Sequence, residues 1–138
     1  MAARVEKLEK LEPDLGDSMR ELQSEMGKLW YAKKSHNTPL TLYELKEIKE
    51  TVETVGILNP VIDRVNASGV LQGMINSQIA GMEDALKRHD DKAFDQQYAE
   101  TLATCNECHR ASGVGFNRIT YPSAPPVGNQ DWNPSTSK

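Results

Sequence analysis

Apolar residues recur at steps of three and four in four separate segments of this chain, which is the spacing of the buried face of an α-helix. Short polar breaks, such as SHNTP and RHDDK, separate the segments. Four amphipathic helices with short connections predict an all-α, up-down-up-down four-helix bundle. The predicted helices run from Pro13 or Asp14 to the SHNTP turn, from about Thr41 to Gly56, from Val70 to Arg88 and from Lys92 to Ala111.

The character of the chain changes at both ends of this helical region. Residues 1–12 are mostly charged and predict an N-terminal extension, with residues 13–112 forming the bundle domain. Residues 113–138 contain four prolines and no helical period, so we expect an extended, Pro-rich C-terminal tail that packs on the bundle. Residues 57–69 predict an irregular, apolar connection. The expected anchors of the tail are Phe116, Ile119, Tyr121 and Trp132.

Length and charge narrow the classes of function. At 138 residues the chain predicts one domain, and its net charge of −4 gives no basic face for nucleic acid. No apolar run is long enough to span a bilayer, and the N-terminus lacks the pattern of a signal peptide. A Glu-rich face on the second helix could guide a basic partner, although such faces are commonly ordinary solvated surfaces. Its carboxylates are Glu44, Glu47, Glu50 and Glu53.

Both cysteines of the chain fall in a single helical turn, and a histidine follows the second directly. Cys105, Cys108 and His109 have the C-x-x-C-H spacing that predicts covalent attachment of one c-type haem. Cysteines three residues apart lie on one side of a helix, and the histidine lies one turn after the first. The thiols can therefore form thioether links while the imidazole binds the iron.

Other interpretations of the two cysteines are weaker. A closed zinc site needs about four protein ligands, and the sequence has no second pair of cysteines. The other histidines, His36 and His89, fall in predicted turns. A thioredoxin-like redox pair belongs in a βαβ unit, which the helical pattern does not offer. Two structural cysteines in a colourless bundle would leave the adjacent histidine as a coincidence.

The position of His109 predicts where a second axial ligand would lie. In the predicted bundle, the end of the last helix lies beside the start of the first, where Met19 occupies the apolar seam. Met19 is therefore the expected sixth ligand, with Met26 or an open site as alternatives. Met74 and Met82 are expected to lie too far along the third helix or on the wrong face. Ordinary core packing remains the alternative role for Met19.

The motifs also resemble known haem proteins. CNECH near the end of the last helix resembles the cytochrome c-prime class, and DLGDSMRELQSEM resembles the first helix of soluble bundle cytochromes b. The elements LGDSM, KLWYA, LYELKEIKE, CNECH and PSAPPVGNQDW are most similar to poorly characterised bacterial monohaem members. This resemblance implies haem attachment at Cys105 and Cys108, with His109 as a ligand. It implies Met19 as the second ligand.

The expected function is one-electron transfer rather than catalysis. An iron held by histidine and methionine can exchange an electron but leaves no position for a substrate. The alternative is a gas-binding protein for NO or CO with an open or labile sixth site. A peroxidase would need a distal His or Arg, and Arg20 is expected to lie off the seam. Arg118 is the expected partner of the haem propionates, with Arg64 and Arg110 as other candidates.

The cofactor also predicts a compartment and partners. Thioether attachment of haem in bacteria occurs outside the cytoplasmic membrane, so we expect a periplasmic protein whose signal peptide has been removed. The expected partner is a redox protein, and a homodimer is possible. Neither nucleic-acid binding nor membrane insertion is expected.

Overall fold

The computed structural model describes residue 4, residues 14–58, the backbone of residues 61–62, and residues 64–134. This part of the chain is mostly helical, with four helices when the interrupted third helix counts as one. No helix within it is long and apolar enough to cross a membrane. Apart from position 4, the predicted N-terminal extension lies outside the described residues, and so do residues 135–138.

The first helix, α1 (Leu15–Lys34), begins where a reciprocal cap satisfies its free backbone donors. The Asp14 side chain accepts a hydrogen bond from the Asp17 N–H at 2.8 Å, and the Asp17 side chain accepts one from the Asp14 N–H at 3.1 Å. This capping box also places two acidic groups at the positive end of the helix dipole. The predicted start of the first helix is therefore correct to within two residues.

The second helix, α2 (Thr38–Leu58), begins three residues before its predicted start. Asn37 caps it, because its side-chain oxygen accepts a hydrogen bond from the Leu40 N–H at 3.2 Å. The SHNTP turn thus ends α1 and starts α2 with almost no loop between them. Pro39 fits there, since the first helical turn needs no N–H donor from it. The helix continues to Leu58, two residues beyond the predicted end.

Two short strands, β1 (Val61–Ile62) and β2 (Val65–Asn66), pair antiparallel in the connection that follows. The next helix has three parts: α3 (Ala67–Met74), a π-helical segment (Ile75–Ile79) and α4 (Ala80–Lys87). The backbone stays right-handed helical at both junctions, so the parts form one continuous helix. It starts earlier than the predicted Val70, because the Asn66 side chain caps it by accepting from the Gly69 N–H at 3.1 Å.

The last helix, α5 (Asp91–Ala111), lies antiparallel to α1. Lys33, near the end of α1, forms an ion pair with Asp91 at 2.6 Å, and the Tyr98 hydroxyl donates to the Met26 carbonyl at 2.8 Å. Contacts further along α5 therefore lie nearer the start of α1. The core packs along this pair and against α2 and α4, and its fully buried large side chains include Leu29, Leu45, Ile48, Met82, Phe94 and Tyr98.

Residues 112–134, which follow α5, run over the bundle surface without forming an α-helix. The Tyr121 ring lies 4.9 Å from the Trp30 ring, and the Trp132 carbonyl accepts a hydrogen bond from the Asn37 side chain at 3.3 Å. Gly27 allows a close approach, since a β-carbon there would lie 3.2 Å from the Pro126 side chain. The chain therefore contacts α1 at several points between residues 113 and 134.

Candidate functional site

A cavity of about 400 Å³ lies where the start of α1, the start of α3 and the end of α5 meet. Its volume falls in the range of protein pockets that hold cofactors and small ligands. Most of its wall is apolar side chain. The chemically distinctive lining residues are Met19, Arg20, Met26, Met74, Cys105, Cys108 and His109.

Both cysteines line this cavity as free thiols. Burial raises the pKa of the Cys105 thiol to about 11, and the nearby Cys108 adds to the effect. The Cys105 thiol therefore stays protonated at neutral pH. Disulfide exchange uses the thiolate, so the neutral Cys105 thiol is a poor nucleophile for that reaction.

The imidazole of His109 has one nitrogen fixed by the backbone. Its Nδ1 lies 2.5 Å from the Asn117 carbonyl oxygen. A carbonyl can only accept a hydrogen bond, so Nδ1 carries the proton and Nε2 keeps its lone pair. This is the arrangement by which proteins orient a metal-binding histidine, with a backbone carbonyl setting the tautomer.

The Asn117 carbonyl reaches His109 because the chain reverses directly after α5. Gly113 has φ = 80°, and the Val114 N–H bonds back to the His109 carbonyl at 2.9 Å. This six-residue closure, together with a bond from the Gly113 N–H to the Arg110 carbonyl, is a Schellman motif. A further turn, from the Asn117 N–H to the Val114 carbonyl at 2.8 Å, brings Asn117 over the last helical turn.

Asn106 holds this returning segment in place, and the sequence analysis missed it. Its side-chain oxygen accepts from the Ile119 N–H at 2.7 Å, and its side-chain nitrogen donates to the Ile119 carbonyl at 2.8 Å. The amide thus pairs with both backbone groups of one residue, two positions after Asn117. No local pattern distinguishes Asn106, because its partner lies thirteen residues away.

We predict that Asn106→Ala loosens the segment that fixes His109. Two hydrogen bonds are lost and two backbone groups are left to find new partners, which should cost about 1–3 kcal/mol of local stability. Hydrogen exchange at the Ile119 amide should then accelerate. The control is Glu107→Ala, since Glu107 is exposed on the same turn. Equal Ile119 exchange in both variants and the wild type would contradict the prediction.

Three methionines face the cysteines and histidine. Met19 and Met26 line the cavity from α1, and Met74 lines it from α3. The expectation that Met74 lies too far along the third helix was wrong, because α3 lines the cavity along its whole length, from Ala67 to Met74. Met82 does not line the cavity and lies in the core.

The arginines lie at different places around the cavity. Arg20 has a largely exposed side chain, as expected for a position off the seam; it also lines the cavity, and its guanidinium bonds to Asp17. Arg118 is exposed and lines a neighbouring pocket of about 280 Å³ that shares the Ile119 and Met26 walls. Arg64 and Arg110 are also exposed. Neither lines the cavity.

His36 and His89 occupy structural positions at the other end of α1 and α5. Each lies just after a helix, with φ = 56° and 55°, respectively. The Asn37 and Asp90 N–H groups that follow bond back to helix carbonyls, so both histidines close Schellman motifs. Within the described residues, no three His, Cys, Asp or Glu side chains converge on a possible metal position.

A second, polar groove of about 600 Å³ lies between α1 and α2. Its floor contains Glu25, which is 8% exposed, and Glu44, which is 4% exposed. The Thr51 hydroxyl lies 2.7 Å and 3.1 Å from the two Glu25 carboxylate oxygens, to which it donates. Burial raises the pKa of Glu25 to about 7, while the Thr51 bond opposes the shift. We call this the acidic groove. It is lined by Asp17, Arg20, Glu21, Ser24, Glu25, Lys28, Tyr43, Glu44 and Glu47.

The titration of Glu25 should lower the free energy of unfolding as the pH rises from about 4.5 to about 7. Its pKa is higher in the folded state than in the unfolded chain, where it is near 4.5, so folding favours the protonated form. The contribution of Glu25 to the free energy of unfolding is therefore fully present below about pH 4.5 and is lost by about pH 7. The loss is at most about 3 kcal/mol. Nearby Glu21, Glu44 and Glu47 raise the pKa further.

The measurement is urea unfolding between pH 4.5 and pH 8 for the wild type and Glu25→Gln. The amide is neutral throughout, so the wild-type stability should fall relative to the variant as the pH rises. Parallel stability curves would show that Glu25 does not titrate in this range.

Comparison with protein-family models, with curated proteins and with solved structures finds no match for this chain. The chemistry of the cavity therefore has to be inferred from its own residues. These are two thiols, an imidazole with a free Nε2 and thioether sulfurs on the facing wall.

Proposed function

We propose that this chain is a monohaem c-type cytochrome that transfers single electrons. The observation that carries the proposal is the shared cavity of Cys105, Cys108, His109 and Met19, residues that come from opposite ends of the described chain. In support, the His109 Nδ1 is already engaged by the Asn117 carbonyl, so that Nε2 is the nitrogen available to iron. C-x-x-C-H is the attachment spacing for haem c.

The residues of the cavity fit a haem better than the other groups considered. Haem attachment uses two cysteines and one histidine on adjacent turns, which the end of α5 supplies. Cys105 and Cys108 would carry the thioether links, His109 would be one axial ligand, and Met19 the other. The apolar walls from α1 and α3 suit the porphyrin faces.

The bound haem would supply reversible one-electron chemistry at iron, and the protein would set its conditions. His109 presents Nε2 in a fixed orientation because Nδ1 is held by the backbone. A methionine ligand such as Met19 would favour the reduced iron and raise the reduction potential. Buried neighbours such as Leu22 and Leu71 keep water from this wall. With both axial positions filled, the protein would be a carrier rather than an enzyme.

The proposed topology is the up-down-up-down four-helix bundle with a Pro-rich tail. In support, the starts of α1 and α3 and the end of α5 meet at one cavity, as alternating helix directions require. We retain Arg118 as a proposed partner of a propionate, since its pocket shares the Ile119 wall. Arg20, which lines the cavity itself, is a second candidate.

A covalent haem implies a periplasmic or equivalent compartment, in which a redox protein would be the partner. A homodimer remains part of the proposal. The compartment and the redox partner follow from the chemistry of the proposed cofactor.

The direct test is a pyridine haemochrome spectrum with intact-protein mass spectrometry, on protein made with c-type maturation machinery. We expect an α-band of haem c and a mass increment of one haem. The double variant Cys105→Ala/Cys108→Ala should lose the increment. Colourless wild-type protein of unmodified mass would refute the proposal. A high-spin resting spectrum with rapid CO binding would instead favour the gas-binding alternative.

A further inference from the structure

We propose that the acidic groove between α1 and α2 binds a small aliphatic diammonium cation, of the chemical class of putrescine. The groove lies on the face of α1 formed by Glu21, Glu25 and Lys28, whereas the cavity takes Met19 and Met26. The inference does not rest on the haem.

The charges that line the groove are unbalanced. Five carboxylates face two cations there, and one of those cations, Arg20, is paired with Asp17. Lys28 is then the remaining cation for four glutamates. If all four are ionised, the groove keeps a formal charge of −3. The carboxylates are Asp17, Glu21, Glu25, Glu44 and Glu47.

Glu44 lines the groove without a hydrogen bond or a close ion pair of its own, although Lys28 lies near enough to attract its charge. The residue is 96% buried, since its exposed fraction is 4%, yet no hydrogen bond or ion pair engages it among the described residues. Every fully enclosed side-chain nitrogen or oxygen in this part of the chain has a hydrogen-bond partner. The unpartnered Glu44 carboxylate oxygens must therefore reach the open space of the groove. These oxygens accept no hydrogen bond from the protein, so a ligand in the groove that donates hydrogen bonds can engage them.

Glu25 supplies a second, positioned acceptor. Thr51 donates to its two oxygens and holds the carboxylate in place between α1 and α2. An ionised carboxylate has about four lone-pair positions, so acceptor capacity is left for a ligand. Glu25 and Glu44 lie close enough that the Glu44 charge raises the Glu25 pKa. Two carboxylates that line one groove match the two ammonium groups of a diamine.

An organic cation fits this groove better than a metal ion. No trio of His, Cys, Asp or Glu side chains in the described residues can hold a metal ion, so a divalent metal would find fewer than three such ligands at once. The volume of about 600 Å³ is also much larger than a metal site needs. Tyr43 lines the groove with its ring half exposed, and an aromatic ring beside carboxylates suits an alkylammonium group.

Isothermal titration calorimetry on the full-length purified protein tests the site with four probes: putrescine, spermidine, butylamine and magnesium chloride. We expect saturable binding of putrescine at one site and weaker binding of butylamine, which has one ammonium group. Glu44→Gln should weaken putrescine binding by about tenfold or more, the loss expected for a hydrogen bond to a charged group. Titration in two buffers of different ionisation enthalpy should reveal proton release from Glu25 and Glu44, whose pKa values are raised by burial.

Two further variants keep the result interpretable. Glu53→Gln, on the exposed face of α2, removes the same charge outside the groove and should leave binding unchanged. Lys28→Ala should strengthen binding, because Lys28 competes for Glu44. Circular dichroism confirms that each variant is folded, and Glu25→Gln replaces Glu44→Gln if the latter unfolds. Absence of putrescine binding, equal binding of butylamine, preference for magnesium, or equal loss in Glu53→Gln would overturn the proposal.

Discussion

Replacing Met19 by leucine in the haem-loaded protein is expected to turn a low-spin spectrum into a high-spin one that binds CO rapidly. Leucine keeps the volume of the side chain but has no sulfur, so the cavity wall stays filled while the sixth ligand is lost. The reduction potential should fall at the same time, because a methionine ligand favours the reduced iron. Optical and magnetic spectra with CO titration provide the measurement.

The chain offers matched controls for this prediction. Met26→Leu and Met74→Leu make the same change at the two other methionines that line the cavity. Both should keep the low-spin spectrum if Met19 is the ligand. A high-spin spectrum in Met26→Leu, with the Met19→Leu spectrum unchanged, would identify Met26, two helical turns further along α1, as the ligand. A wild type that is already high-spin would contradict the electron-transfer proposal itself.

The second large effect concerns stability, and the two phenylalanines of the chain form a matched pair. Phe94 is 0% exposed in the core beneath the Lys33 ammonium, whose nitrogen lies 5.3 Å from its ring centre. Phe116 is 87% exposed beyond the end of α5. Phe94→Ala should cost about 3–5 kcal/mol of unfolding free energy, through lost burial and a cavity. Phe116→Ala should change it by less than about 0.5 kcal/mol.

Thermal and urea unfolding of the two variants provide the comparison. A loss of that size is a large fraction of the total stability of a small domain, so the melting temperature should fall by on the order of ten degrees or more for Phe94→Ala. Similar effects of the two substitutions would mean that Phe94 is not in the core of the folded protein.

The helices were largely predictable, because their causes are local. The steps of three and four along each seam predicted four helices, and the breaks fell within a few residues of the observed ends. The errors lie at helix starts. Asn37 and Asn66 cap α2 and the third helix earlier than the apolar pattern suggested, since a cap is set by one side chain and lies outside the periodic run.

The candidate site was predictable only in part. The spacing of Cys105, Cys108 and His109 identified them as candidates. In the structure, Met19 lines the same cavity as these three residues. The prediction that Met74 would lie elsewhere was wrong, since it lines the cavity together with the two cysteines. The resemblance to bundle cytochromes remains a prediction, and so does the role of each residue toward a haem.

By itself, the sequence determined what side-chain spacing controls over a few residues: four helices and the C-x-x-C-H turn. The tertiary structure alone decided which distant groups meet. It placed the Asn117 carbonyl on the His109 ring, paired Asn106 with Ile119, and brought Glu25 and Glu44 into one groove between α1 and α2. The physical reason is that such contacts depend on how whole helices pack, and packing is set by the summed burial of the core rather than by any one local pattern.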